Sequence, residues 1–238
     1  SDTYGGGGIF NHLTVATSDH PTFSQVFVHE FGHASHGFLT KCKYPSVSGT
    51  SVARDFVELP SQILEHWAVE PDVMKQYAFH YKTGEVIPDS LIAKMQAASS
   101  FNTGFETTEL VAASLLDLEY HMQGDYSQFE ANAFEASVAE KLGLIPEIAF
   151  RYRGTYFNHI FSGGYAAGYY SYLWAEVLDA DGFEAFKESG NVLNEEIGHS
   201  FRTNVLEMGG SEDPMVLYRR FRGADPNPEA LLKGRGLK

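Results

Sequence analysis

Apolar and aromatic positions recur at helical spacing along most of this chain. Residues 24–40 place Val26, Phe27, Phe31, Ala34 and Phe38 on that period, with Ser24 or Thr22 positioned as the cap. A second helix is predicted over 53–69, with Pro60 in its first turns or at a kink. The same pattern predicts helices over 71–82, 89–100, 106–123, 127–142, 145–152, 165–179, 182–187, 194–208 and 213–221. A short amphipathic helix near the C-terminus is stopped by Gly234 and Gly236. Turn-forming stretches separate these segments: TGEVIPD at 83–89, QGD at 123–125, SGG at 162–164, GG at 209–210 and GADPNP at 223–228. Strand-like alternation is scarce, and 9–16 (IFNHLTVA) is its best candidate. The expected fold is mainly α, a multi-helix domain with little or no sheet.

Composition narrows the function classes. The chain has 238 residues, 43% of them hydrophobic, which fits a folded chain of one domain, at most two. No apolar run approaches the length of about 18 residues that a membrane-spanning helix needs. Asp and Glu number 31 against 17 Lys and Arg, a net charge of -14 that argues against nucleic acid or an anionic membrane as partner. Cys42 is the single cysteine, so an intrachain disulfide and a multi-cysteine metal site are excluded. Ser1–Gly8 reads SDTYGGGG, without the basic or apolar character of a targeting sequence, and is expected to be a flexible join. A cytoplasmic location is the expectation that follows.

The chemistry-bearing pattern is His29-Glu30-Phe31-Gly32-His33, an HExxH motif on a predicted helix. Residues four apart lie about 40° from alignment on one helical face, so both imidazoles can reach a single zinc ion. Glu30 points about 100° away from His29, where it can take a proton from a water at the metal without ligating the metal itself. A catalytic zinc needs a third protein ligand. The metzincin pattern fails, because His36 and Leu39 stand where glycine and histidine are required. The thermolysin-like pattern fails too, with Val52 and Ala53 where a glutamate is required. Residues 34–54 hold no acid at all, and the first acids after them are Asp55 and Glu58. Three apart on one predicted helical face, either could ligate while the other orients a histidine from behind. The plainer alternatives are an accidental HExxH on a solvated helix, and two helix N-terminal acids favoured by the macrodipole. His36 could approach the site or simply pack beside it. His12, His20, His66, His80, His121 and His199 have no partner spacing and read as structural or surface residues.

A second notable stretch is YFNHIFSGGYAAGYYSYLW at 156–174. Gly163-Gly164 predicts a flexible turn, and Tyr165, Tyr169 and Tyr172, at i, i+4 and i+7, are predicted to share a helical face. Such a stripe is either half-buried packing or, with His159, a set of donors for a developing oxyanion.

HEFGHASHG (29–37), SGTSVARDFVELPSQILEHWA (48–68), FNHIFSGGYAAGYYSYLWAEVL (157–178) and FRGADPNPEALLKGRGL (221–237) together resemble one family. It is the thimet oligopeptidase and oligopeptidase A family of zinc metallopeptidases, and the chain looks most like its bacterial peptidyl-dipeptidase branch. The resemblance implies a zincin-like catalytic domain over 22–238, with 1–21 a poorly matched segment or linker. It implies one zinc ion held by His29, His33 and Glu58, with Asp55 behind the ligands and Glu30 as general base and proton shuttle. It places His159, Tyr165 and Tyr172 among the catalytic groups, and Gly163 and Gly164 with them at the substrate-binding positions. Short peptides are the implied substrates, released as C-terminal dipeptides. The alternatives are internal cleavage by the same fold, or a zinc-binding but inactive chain that needs a partner. Family members are far longer, and this chain corresponds to their C-terminal catalytic portion. An apolar face is therefore expected to be covered by a second chain, by self-association or by rearrangement of residues 1–21.

Overall fold

The computed structural model describes residues 23–127 and 129–238; the strand candidate at 9–16, the glycine run, His12, His20 and Thr22 lie outside the described residues. The fold is mainly α. Among the described residues the only β pairing is one antiparallel bridge between Phe79 and Val86, and no helix is long and apolar enough to cross a membrane. The helices are α1 (Phe23–Leu39), α2 (Leu59–Ala68), α3 (Pro71–Tyr77), α4 (Asp89–Ala98), α5 (Thr103–His121) and α6 (Ala131–Leu142). They continue as α7 (Asn158–Phe161), α8 (Ser171–Glu188), α9 (Glu195–Phe201), α10 (Pro214–Arg222) and α11 (Glu229–Gly234). The chain divides into two compact units, one from its start to Ser99 together with Ala175–Lys238, the other Ser100–Trp174.

The core of the first unit is built from Phe56, Leu59 and Ile63 around α2, Leu178 and Phe183 on α8, and Leu217, Tyr218 and Phe221 on α10. Burying each such side chain contributes about 1.5–3 kcal/mol. The buried Tyr218 hydroxyl satisfies itself by donating to Asp181 Oδ2 at 2.7 Å. Gly182 sits in the middle of α8 and does not break it, although the sequence suggests separate helices at 165–179 and 182–187. A methyl there would stand 3.2 Å from both Ile63 Cδ1 and Phe221 Cε1, so the glycine serves helix approach, not termination.

A second close approach positions the metal motif. Gly32 lies buried where α1 crosses α2. A methyl on it would fall 2.5 Å from Ser61 Cα and 2.8 Å from the Pro60 carbonyl carbon. Only a glycine lets the two backbones come this near, and the flanking His29 and His33 are thereby carried onto the start of α2.

Helix α2 starts at Leu59, six residues later than the periodicity predicts. Pro60 explains this. A helix running from 53 would need an N–H at Pro60 to bond the Phe56 carbonyl, and proline has none. Leu59 N–H takes that carbonyl instead at 3.2 Å, so 54–58 curl as successive turns and Pro60 falls in the first turn of α2. Helix α1 begins at Phe23, which leaves Ser24 inside its first turn and not as its cap.

In the second unit, Leu110, Ala113 and Leu116 of α5 pack with Val138 of α6 and with Phe150, Phe157 and Tyr169. The predicted helix at 145–152 is absent. Gly143, at φ +66°, closes α6 with Leu144 N–H returning to Ala139 O at 3.1 Å, and Pro146 follows. Residues 165–170 are also not helical, and α8 starts only at Ser171. Ala167 has a φ of +51°, in the left-handed region, which interrupts any helix and costs about 1–3 kcal/mol for a residue with a side chain.

Candidate metal centre

The N-terminal start of α2 and one face of α1 bring His29, His33 and Glu58 together. Their ligand-capable atoms all lie within 4.8 Å of one another. Glu58 Oε2 is 3.5 Å from His29 Nε2 and 3.2 Å from His33 Nε2. Donors at about 2.0–2.1 Å from a tetrahedral zinc stand about 3.3 Å apart, so the observed separations suit such an ion.

The tautomers point the same way. His29 Nδ1 is 2.7 Å from Glu65 Oε1. The proton of a neutral ring therefore sits on Nδ1, and Nε2 faces Glu58 Oε2 with a lone pair. Glu58 is 2% exposed, and Ser61 Oγ donates to that same Oε2 at 2.9 Å. A buried carboxylate aimed at two imidazole nitrogens needs a cation or a proton among them. The histidines keep 20% and 25% of their side chains exposed, which leaves the cluster open on one side. Burial works against a charge on His29, but the Glu65 hydrogen bond and the charges of Glu65, Glu58 and Glu30 outweigh it and raise its pKa. Glu30, next along α1, is half-buried.

Two residues here were not singled out by sequence reasoning. Glu65 holds His29, and Ser61 holds Glu58. Both were readable in principle, since Ser61 and Glu65 follow Glu58 by three and seven residues and so share its face of α2. Asp55 lies in the turn before Glu58, half-buried. His36 is fully buried on α1, and neither ring nitrogen has a hydrogen-bond partner among the described residues. Burial, aided by the nearby His33, lowers its pKa to about 4, so it is a neutral packing residue and not part of the ligand cluster.

Among the described residues, three of the other histidines have partners outside the metal cluster. His66 Nε2 meets Asp179 Oδ1 at 2.6 Å with its ring stacked on Phe183, and His80 Nδ1 accepts from the Thr83 N–H. His121 pairs with Asp117.

If Glu65 fixes the tautomer and aim of His29, then Glu65→Gln should weaken metal binding about 10–100-fold. Competition with a chelator measures this, and an unchanged affinity would make the contact incidental.

The second unit carries the aromatic cluster. Tyr165 and Tyr172 stack with centroids 5.2 Å apart, and His159 lies 6.0 and 6.3 Å from them. The tyrosines do not share one helix, because Tyr165 and Tyr169 lie in the turn before α8 and only Tyr172 is on it. Tyr165 and Tyr172 are half-buried, whereas Tyr169 is 3% exposed and packs on Phe157 at 4.9 Å. The Gly163-Gly164 turn is bonded down rather than loose. Gly163 N–H reaches Asn158 O at 2.8 Å and Tyr165 N–H reaches His159 O at 2.9 Å. A methyl on Gly163 would meet His159 Cα at 2.8 Å, and Gly164 takes φ +82°.

Comparison with known proteins adds to this geometry. The family described as "Peptidase family M3" matches residues 17–237. The chain is 49% identical over 212 residues to the "Dipeptidyl carboxypeptidase" of Escherichia coli K12, covering 88% of this chain and 31% of that protein. It is 43% identical over 213 residues to the "Oligopeptidase A" of the same organism, again covering 88% of this chain and 31% of the relative. A "Thimet-like oligopeptidase" of Dictyostelium discoideum is 38% identical over 233 residues, 96% of this chain and 34% of that protein. The chain thus spans about a third of the length of these relatives.

Proposed function

The chain belongs to peptidase family M3, and on that premise we propose that it carries out zinc-dependent hydrolysis of short peptides, releasing dipeptides from their C-termini. The observation that supports this most is the convergence of His29, His33 and the buried Glu58, with Glu30 next in sequence to the first of them. The name of the Escherichia coli relative at 49% identity supports the dipeptide product.

In this reading His29, His33 and Glu58 hold the ion. When bound, zinc supplies Lewis-acid polarisation of the scissile carbonyl and makes a neighbouring water easier to deprotonate. The chain's own groups do the rest. Glu30 takes the proton from the attacking water and passes it to the leaving amine. His159, Tyr165 and Tyr172 donate hydrogen bonds to the developing oxyanion. Glu65 and Ser61 keep His29 and Glu58 aimed, and Asp55 belongs behind the ligands. Gly163 and Gly164 leave room beside the peptide backbone.

The apolar-face expectation also has support. Phe27, Phe31 and Phe38 are 54%, 52% and 79% exposed, and lie on α1 opposite the face that carries His29 and His33. We propose that a second chain or a second copy covers them.

The test is metal analysis joined to product analysis on N-blocked peptides. One zinc per chain with C-terminal dipeptides as products is the expected result. Internal fragments would move the chain to oligopeptidase action, which the Oligopeptidase A relative makes the second reading. Bound zinc with no cleavage would overturn the activity.

A further inference from the structure

Asp117 is a fully buried acid of α5 whose two oxygens both bond a turn fifty residues further on. Oδ1 accepts the Ala167 N–H at 3.0 Å and Oδ2 accepts the Tyr169 N–H at 2.8 Å. His121, one turn along α5, places Nδ1 2.9 Å from Oδ1, 2.8 Å from the Asp117 carbonyl and 3.3 Å from the Ala167 nitrogen, so its ring packs against the same anchor. Ala167 is exposed and holds a φ of +51°, a conformation an alanine seldom keeps unaided. Two N–H groups flanking a left-handed residue form a small concave seat for an anion. Here the chain fills that seat with its own buried carboxylate.

The turn is thus anchored at both ends. Its start is bonded to α7 through the Gly163 and Tyr165 N–H groups, and its end to Asp117. Ser171 N–H then closes on Gly168 O at 3.1 Å and opens α8, whose second residue is Tyr172. The stacked pair Tyr165 and Tyr172 therefore takes its spacing from this turn, and the turn takes its shape from Asp117.

We propose that Asp117 is a positioning residue for the reaction: it holds 163–170 in the conformation that presents the Tyr165 and Tyr172 hydroxyls, without touching substrate. This rests on the reading that those hydroxyls act as donors. A local bond from the Gly168 N–H to Tyr165 O at 2.8 Å closes the turn around Ala167, and Asp117 on α5 adds the hold on its Ala167 and Tyr169 amides.

The experiment combines amide hydrogen exchange with steady-state kinetics on Asp117→Asn. Asparagine keeps the shape but sets an NH2 against one of the two amides. Exchange at Ala167 or Tyr169 should rise about tenfold or more while Leu110–Leu116 stay protected. Turnover should fall about tenfold with KM within about twofold, because the lost interaction is one made in the transition state. Joined to Tyr172→Phe, the combined loss should fall short of the product of the two single losses, since part of the Asp117→Asn effect acts through the Tyr172 hydroxyl that is already gone. Ala167→Gly removes the left-handed strain and should restore much of the rate lost in Asp117→Asn, which a mere core role for the carboxylate would not allow. If Asp117→Asn does not fold, Ala167→Val carries the test from an exposed position, because a β-branched residue resists that φ. It should give the same faster exchange and slower turnover. Unchanged exchange at 167 and 169, multiplying losses, or full turnover in both variants would each overturn the role of Asp117. Full turnover in Tyr172→Phe would sink the tyrosine reading and this proposal together, whereas the exchange result alone decides the anchor.

Discussion

Glu30→Gln should lower turnover about 10²–10⁴-fold while the chain keeps its metal. The substitution preserves size and removes the carboxylate's charge and with it the ability to accept a proton. Metal retention follows from the geometry. The candidate metal cluster consists of His29, His33 and Glu58, and Glu30 is not in it. The aim of His29 comes from Glu65 at 2.7 Å, and that of Glu58 from Ser61 at 2.9 Å, neither of which the substitution touches. Helix α1 should keep its close crossing with α2, since that depends on Gly32. Atomic emission on the purified variant, beside kcat on an N-blocked peptide that ends in the dipeptide to be released, checks both halves. A variant that loses metal in step with activity would give Glu30 a structural role and would leave the proton transfer without its acceptor.

The sequence alone carried the candidate metal cluster most of the way, and the reason is geometric. Four-residue spacing on one helix constrains two imidazoles almost completely, so His29 and His33 were readable without any tertiary information. The third member of the cluster comes from another element, and spacing left Asp55 and Glu58 equally open. Glu58 is brought beside the histidines by where α2 begins, which Pro60 sets, and by the crossing that Gly32 permits. Glu65 and Ser61 act through the register of α2 against α1, and register between helices is not encoded in either helix separately. The tyrosine stripe shows the opposite difficulty. Its spacing of i, i+4 and i+7 satisfies a helix well, yet residues 165–170 form a turn. The alanines at 166 and 167 favour a helix locally, and the interaction that overrides them comes from Asp117, far away in the chain. Helix existence was legible nearly throughout for the described residues, while ends and breaks depended on Pro60, Gly143 and Ala167.

Tyr172→Phe should lower kcat about 10²–10³-fold, the cost of about 3–4 kcal/mol typical of losing one oxyanion donor, and should change KM far less. A hydrogen bond that strengthens as charge develops is felt in the transition state and barely in the bound ground state. Tyr172 suits this role because it sits at the second position of α8, half-buried, with its ring held against Tyr165. Tyr169→Phe is the matched control. Its ring is 3% exposed between Phe157, His159 and Tyr152, and burial raises the pKa of its hydroxyl. Losing that buried hydroxyl should cost about 1 kcal/mol of stability and leave the rate near that of the unsubstituted chain. The two variants therefore separate on different axes, one in kcat and the other in the unfolding midpoint. Small and equal rate effects would return the cluster to packing. A dead Tyr169→Phe beside a normal Tyr172→Phe would place the donor on the turn that Asp117 holds and not on α8.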